Sequence, residues 1–219
     1  MVFNGILKLM PSLSRTVNCQ LSTVNCKVKQ GFTLIELLVG ITLFGITSSL
    51  ITASYTTFEK NQRIKNAAQT LKNDLRLVQN KALAGDKGAN SECSIGDTLA
   101  GWYVTFDTAQ TSTYTYAMVC NIGGNESRFI PKTVTYPSGV TLNNAVPNTG
   151  IKIGGSPRNG IVTILFKPLA TDVALYSNSA PPFTTPITFT GNLEIELKGG
   201  QTSNLSTVTV RTTGEVSGN

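Results

Sequence analysis

The sequence predicts an α+β protein: one long N-terminal α-helix, half transmembrane and half amphipathic, packed on a C-terminal antiparallel β-sheet head. Three observations predict it. An almost uncharged apolar run covers residues 32–53. Apolar residues then recur at three- and four-residue steps as far as Ala82. Beyond Gly85 the pattern turns to short β-like runs between glycine- and proline-rich turns.

The N-terminal flank, residues 1–31, carries Lys8, Arg15, Lys27 and Lys29 and no acid. It holds most of the net charge of +6; the remaining 14 basic residues against 12 acidic leave only +2. Nucleic-acid binding by bulk charge therefore has little support. Met10 offers a second start within this flank.

In the run FTLIELLVGITLFGITSSLITA the only ionisable side chain is Glu36. About twenty helical residues rise about 30 Å, the thickness of a bilayer's hydrocarbon core. Lys27 and Lys29 lie just upstream, where positive charge holds the N-terminal side in the cytoplasm and sends the rest outward. An ordinary secretory signal fits poorly, because its apolar region is shorter and ends in a small-x-small cleavage site. Past the run, Ile64, Ala67, Ala68, Leu71, Leu75, Val78 and Ala82 form one apolar stripe. Glu59 and Arg63 stand four apart in the favourable order. No proline interrupts residues 32–84, and Gly85 is a stop signal. The expected helix thus covers 32–84, with 32–53 the membrane and assembly part and 54–84 the amphipathic part. Gly40 and Gly45, with Thr42, Thr47, Ser48 and Ser49, would permit close helix contact in lipid.

Residues 85–219 form the expected β-rich exported head. Candidate strands are 102–106, 114–119, 134–136, 161–166, 187–190, 193–197 and 207–211. Turn signals stand between them at Gly123-Gly124-Asn125, Pro137-Ser138-Gly139, Gly154-Gly155-Ser156-Pro157, Pro181-Pro182 and Lys198-Gly199-Gly200. The last two strands read as a hairpin. Strands packed on an amphipathic helix make an α+β head.

The residues Lys29-Gln30-Gly31-Phe32-Thr33-Leu34-Ile35-Glu36 closely resemble the class III signal of type IV prepilins and type II secretion pseudopilins. The resemblance implies a pilin-like fold, with residues 1–31 a leader that prepilin peptidase cuts after Gly31. It implies Phe32 as the N-methylated new terminus, Lys27 and Lys29 as the basic flank, and Glu36 as the assembly glutamate. The implied partners are prepilin peptidase, other pilin or pseudopilin subunits, an inner-membrane assembly platform and membrane lipid. The implied course is a single-pass inner-membrane protein, head outward, that enters an extracellular or periplasmic filament. Physically, the cut creates an amine beside a greasy helix, and a lipid-embedded carboxylate gains by finding that charge on a neighbour. The helix segment Asn73-Asp74-Leu75-Arg76-Leu77-Val78-Gln79-Asn80-Lys81-Ala82 and the chain-end Thr213-Gly214 resemble the GspH/FimT-type minor pseudopilins. Two departures stand out. The leader is long for pseudopilins, and Ala53 occupies a place where many pilins have proline.

A membrane between Cys19 and Cys26 on one side and Cys93 and Cys120 on the other would leave the first pair reduced and let the second oxidise. A Cys93–Cys120 bridge is therefore expected, closing a loop of about 28 residues that constrains the unfolded chain by roughly 3–4 kcal/mol. Two cysteines with no histidine cannot complete a zinc site. Neither a metal nor a cofactor is expected. Catalysis has no foothold: no nucleophile has a histidine partner, and there is no phosphate-binding or dinucleotide fingerprint. Glu194 and Glu196 alternate along a strand and are expected on a solvated sheet face. Asn125-Glu126-Ser127 and Asn204-Leu205-Ser206 match the glycosylation sequon, which arises often by chance.

Three functions compete: a structural minor pilin or pseudopilin, a tip receptor for DNA or a surface, and an anchored β-domain that never polymerises. The receptor's basic cluster is thin, since Arg211 is followed by a tail holding Glu215 and no further cation. The third reading predicts no mature terminus at Phe32.

Overall fold

A computed structural model describes residues 32–88, 93, 96–143, 150–200 and 204–218, with the backbone alone over 50–54. Helix α1 runs Leu34–Leu83. The chain divides into two compact units, residues 1–47 and 48–219. The described part of the first is the opening of α1, where the large apolar side chains from Phe32 to Ile46 are exposed all round.

In the second unit α1 has one buried stripe. Ile64, Ala67, Ala68, Leu71, Leu75, Val78 and Ala82 are each at most 6% exposed, the set that the three-and-four spacing marks. The helix closes on Gly85, whose φ is +63°. Gly85 N donates to the Ala82 carbonyl (3.0 Å) and Asp86 N to that of Lys81 (2.9 Å), the paired bonds of a Schellman cap. The Lys81 ammonium lies 2.8 Å from the Asp86 carboxylate. It also lies over the Trp102 ring, 4.6 Å from its centre.

Two antiparallel sheets share the core with this stripe. The first contains β1 (Thr98–Asp107), β2 (Thr113–Ile122), β3 (Asn125–Thr135), β7 (Ile161–Phe166), β8 (Val173–Tyr176) and β9 (Pro186–Ile187) in the order β3-β2-β1-β7-β8-β9. The second has the order β12-β11-β10-β5-β6, formed by β5 (Ile151–Ile153), β6 (Ser156–Pro157), β10 (Asn192–Gly199), β11 (Leu205–Arg211) and β12 (Val216–Gly218); β4 (Val140–Leu142) also pairs with β10. Trp102, Phe106, Met118 and Ile164 from one sheet and Leu193, Ile195, Val208 and Val210 from the other share one core with Leu71 and Leu75. The hairpin foreseen at the chain end is β10–β11, paired from Asn192↔Arg211 to Lys198↔Leu205.

On its other face the first sheet carries a second small cluster, Tyr103, Ala117, Val119 and Leu165. The segment after β8 lies across it. Phe183 packs edge-on to Tyr103 and stacked on Tyr176, both at 5.1 Å between ring centres. Thr163 donates to the Asn178 carbonyl at 2.5 Å, and the Phe183 amide donates to Glu126 at 3.0 Å.

Several elements differ from the sequence expectation. β3 starts at Asn125 rather than 134, because Pro131 obscures it as a strand. Proline is tolerated there, since β3 is an edge and Ile130-Pro131 forms a bulge opposite Ala117. The run 187–190 contributes only Ile187 to β9. Strands β4, β5, β8 and β12 escape a periodicity reading because they hold three or four residues each. Glu196 corrects the solvated-face expectation. It is 7% exposed, pairs with Lys152 at 2.5 Å and accepts from the Asn143 amide at 3.0 Å. Glu194 is half-buried.

Candidate functional site

The start of α1 is built by its first five described residues. Thr33 precedes the helix and acts as its N-cap. The Glu36 carboxylate accepts from the Thr33 amide (2.9 Å) and hydroxyl (2.8 Å), while the Glu36 amide donates to the Thr33 hydroxyl at 3.3 Å. This is a reciprocal capping box, in which Thr-x-x-Glu satisfies donors that the first helical turn leaves open. A carboxylate at this place also complements the positive end of the helix dipole.

Thr33 is the residue that site reasoning missed. The signal was present as the Thr33-Leu34-Ile35-Glu36 spacing. Phe32 is 88% exposed, as are most of its apolar neighbours to a lesser degree, with Leu34 at 82% and Phe44 at 73%. The threonine hydroxyls within this run are turned onto the backbone: Thr42 donates to the Val39 carbonyl (2.9 Å), and Thr47 to those of Leu43 and Phe44 (3.1 and 3.0 Å). Polar atoms are thereby satisfied inside the helix. At Gly40 and Gly45 no other atom approaches a notional Cβ within 4 Å. The surface is smooth and greasy with one carboxylate at its head. Gly31, Lys27 and Lys29 lie outside the described residues.

Among the described residues no helix is long and apolar enough to cross a membrane. Described side chains of the run end at Ser49. The helical stretch up to that point rises about 24 Å, short of the hydrocarbon thickness. The rest of the expected span, residues 50–53, lies outside the described side chains.

In the head, Cys93 and Cys120 are joined in a disulfide with their Cα atoms 5.8 Å apart. The bridge ties the segment after α1 to the buried Cys120 of β2. Trp102 secures the same segment, its ring N–H donating to the Asp86 carbonyl at 2.8 Å. Arg211, the cation at the chain end, lies 2.9 Å from Glu215. Gly214 has φ +80°, and a Cβ there would meet the Thr171 carbonyl at 2.4 Å and the Gln79 side chain at 2.8 Å. The chain end is thus fitted against both α1 and the β7–β8 connection. Of the two sequons, Asn125 stands exposed at the β2–β3 turn, whereas Asn204 bonds to Asn61 at 2.5 Å.

The family model for the prokaryotic N-terminal methylation motif matches residues 26–52. No curated protein and no solved structure matches the chain. The matched span contains Lys27, Lys29, Gly31, Phe32 and Glu36 and ends one residue short of Ala53. Its N-terminal segment is therefore a class III prepilin signal of the type IV pilin and pseudopilin kind.

Proposed function

We propose that this chain, which carries the class III prepilin signal of type IV pilins and pseudopilins, is a structural subunit of a type IV pilus or type II secretion-like filament. It is a minor pilin or pseudopilin of the GspH/FimT type rather than an enzyme. In this reading prepilin peptidase cuts between Gly31 and Phe32, residues 1–31 are discarded, and Phe32 is N-methylated. Residues 32–53 anchor the precursor in the inner membrane with the head, 85–219, outside the cytoplasm. Later the same greasy surface packs against other subunits.

The observation that carries the reading is an apolar helical segment, exposed on every side and headed by a single carboxylate, within the matched motif. A helix apolar all round needs lipid or protein around it, and within the described chain nothing covers it. Glu36 bonds to its own N-cap in the single chain. In a filament it would exchange those bonds for the methylated amine of a neighbouring Phe32. Apolar packing would supply affinity, and the charge pair would select one axial register. The GspH/FimT assignment rests on the resemblance of residues 73–82 and of Thr213-Gly214 to those pseudopilins.

Peptide mass mapping of protein purified from its membrane tests the first step. The expected product begins with N-methylated Phe32. Protein that keeps its leader in the presence of an active processing protease would overturn the reading. Glu36→Ala tests the second: it is expected to insert and be cut yet to enter filaments poorly.

A further inference from the structure

We propose that the cleft where Lys60 and Arg63 of α1 meet the Ser138-Gly139 turn and the Gly199-Gly200 turn binds the phosphate of an anionic phospholipid headgroup. The cleft encloses about 220 Å³. Its rim is made by two turns bound to each other, Gly200 N donating to the Gly139 carbonyl at 2.7 Å. No side chain crowds the wall at Gly139, where nothing lies within 4 Å of a notional Cβ. A bulky phosphate can therefore approach the backbone closely.

On the helix side stand two cations. Arg63 donates to the Ser138 hydroxyl at 3.3 Å and lies 2.6 Å from the Glu59 carboxylate. That ion pair is about half exposed at both ends, so the guanidinium can turn toward a phosphate at little cost. Lys60 is exposed and has no ion-pair partner among the described residues. At the cleft Lys60 and Arg63 stand against Glu59 alone, a net positive charge that favours an anion.

Connectivity selects a lipid as that anion. This step rests on the membrane anchorage proposed above. Lys60 follows Ala53 by seven residues, so it stands at most about 25 Å from the end of the apolar run whatever the path. Headgroups occupy about 5–8 Å beyond each side of the hydrocarbon core, well inside that reach. The cleft would hold the head to the leaflet surface until the subunit is drawn into a filament.

The test uses full-length mature protein in nanodiscs of mixed phosphatidylglycerol and phosphatidylcholine, with native mass spectrometry counting the lipids retained on release. Phosphatidylglycerol should be retained preferentially. Lys60→Gln should lower that retention about five-fold, and Lys60→Gln/Arg63→Gln by more than tenfold. Arg63→Lys should keep most of it. Lys167→Gln, in the β7–β8 connection, should change nothing. Equal retention by the double variant, or an equal loss in Lys167→Gln, overturns the site. Displacement of the lipid by inorganic phosphate at equal concentration also overturns it, by marking a site for the free anion. Entry into nanodiscs without any lipid preference sinks this inference and leaves the anchor standing. Failure to enter at all removes both.

Discussion

Glu36 and Glu196 are both acids in chain segments otherwise rich in apolar residues, and they meet opposite environments. Glu36 heads an uncovered helix and caps it through Thr33. Glu196 is nearly enclosed, paired with the Lys152 ammonium and hydrogen-bonded by the Asn143 amide. Removing one member of a buried pair strands the other, so Glu196→Ala should cost about 2–4 kcal/mol of head stability, measured by denaturant unfolding. Gly214→Ala should cost about 1–3 kcal/mol, because φ +80° and the Thr171 carbonyl both exclude a Cβ. The buried tyrosines make stability depend on alkaline pH. Burial, reinforced by the Asp74 carboxylate 2.6 Å away, pushes the Tyr114 hydroxyl above the ordinary tyrosine range. Burial alone does the same at Tyr136. Both stay neutral when folded, whereas the unfolded chain ionises them near pH 10. Above that pH the unfolded state holds fewer protons than the folded one, so stability falls as pH rises. Thermal melting should be level up to about pH 9.5 and then decline. Tyr136→Phe should soften the decline. At neutral pH it should cost little, since the Tyr136 hydroxyl is buried without a hydrogen-bond partner among the described residues.

At the scale of elements, the stripe on α1 decides whether the head holds together. Leu71 and Leu75 are fully buried in the core that residues of both sheets share. Leu75→Ala should cost about 2–5 kcal/mol in a chemical melt; a much smaller loss would mean that helix and sheets are not one core. The stripe was legible because helical spacing records a buried face directly, residue by residue. β7 was legible too, as a run of six residues buried from Val162 on. β3 was legible only at its end, 134–135, because the stretch before it is an exposed edge with a proline at its bulge and little alternation to betray it. The disulfide belongs to this scale as well. Replacing Cys93 and Cys120 with serine should cost roughly 3–4 kcal/mol, through the loop it closes in the unfolded chain. Non-reducing peptide mapping that found free thiols would refute the bridge itself.

For the whole molecule, the two units place opposite demands on their surroundings. The second has its own core and two sheets, so a chain begun near Ser54 should fold and stay monomeric without detergent. A melting temperature close to that of the full chain in micelles would bear this out; aggregation would show that the head needs the missing segment. The apolar run, the methylation motif and the buried face of α1 could be read from residue order alone. Each is a local pattern: about twenty apolar residues, a fixed set of neighbours around Gly31, and a helical repeat. Tertiary structure decided which strands share a sheet, that Glu196 is enclosed, that Gly214 abuts Thr171, and that Lys60 and Arg63 share a cleft with two distant turns. Those facts depend on partners dozens of residues apart, whose meeting is set by packing the whole core and leaves no trace in the spacing of either partner by itself.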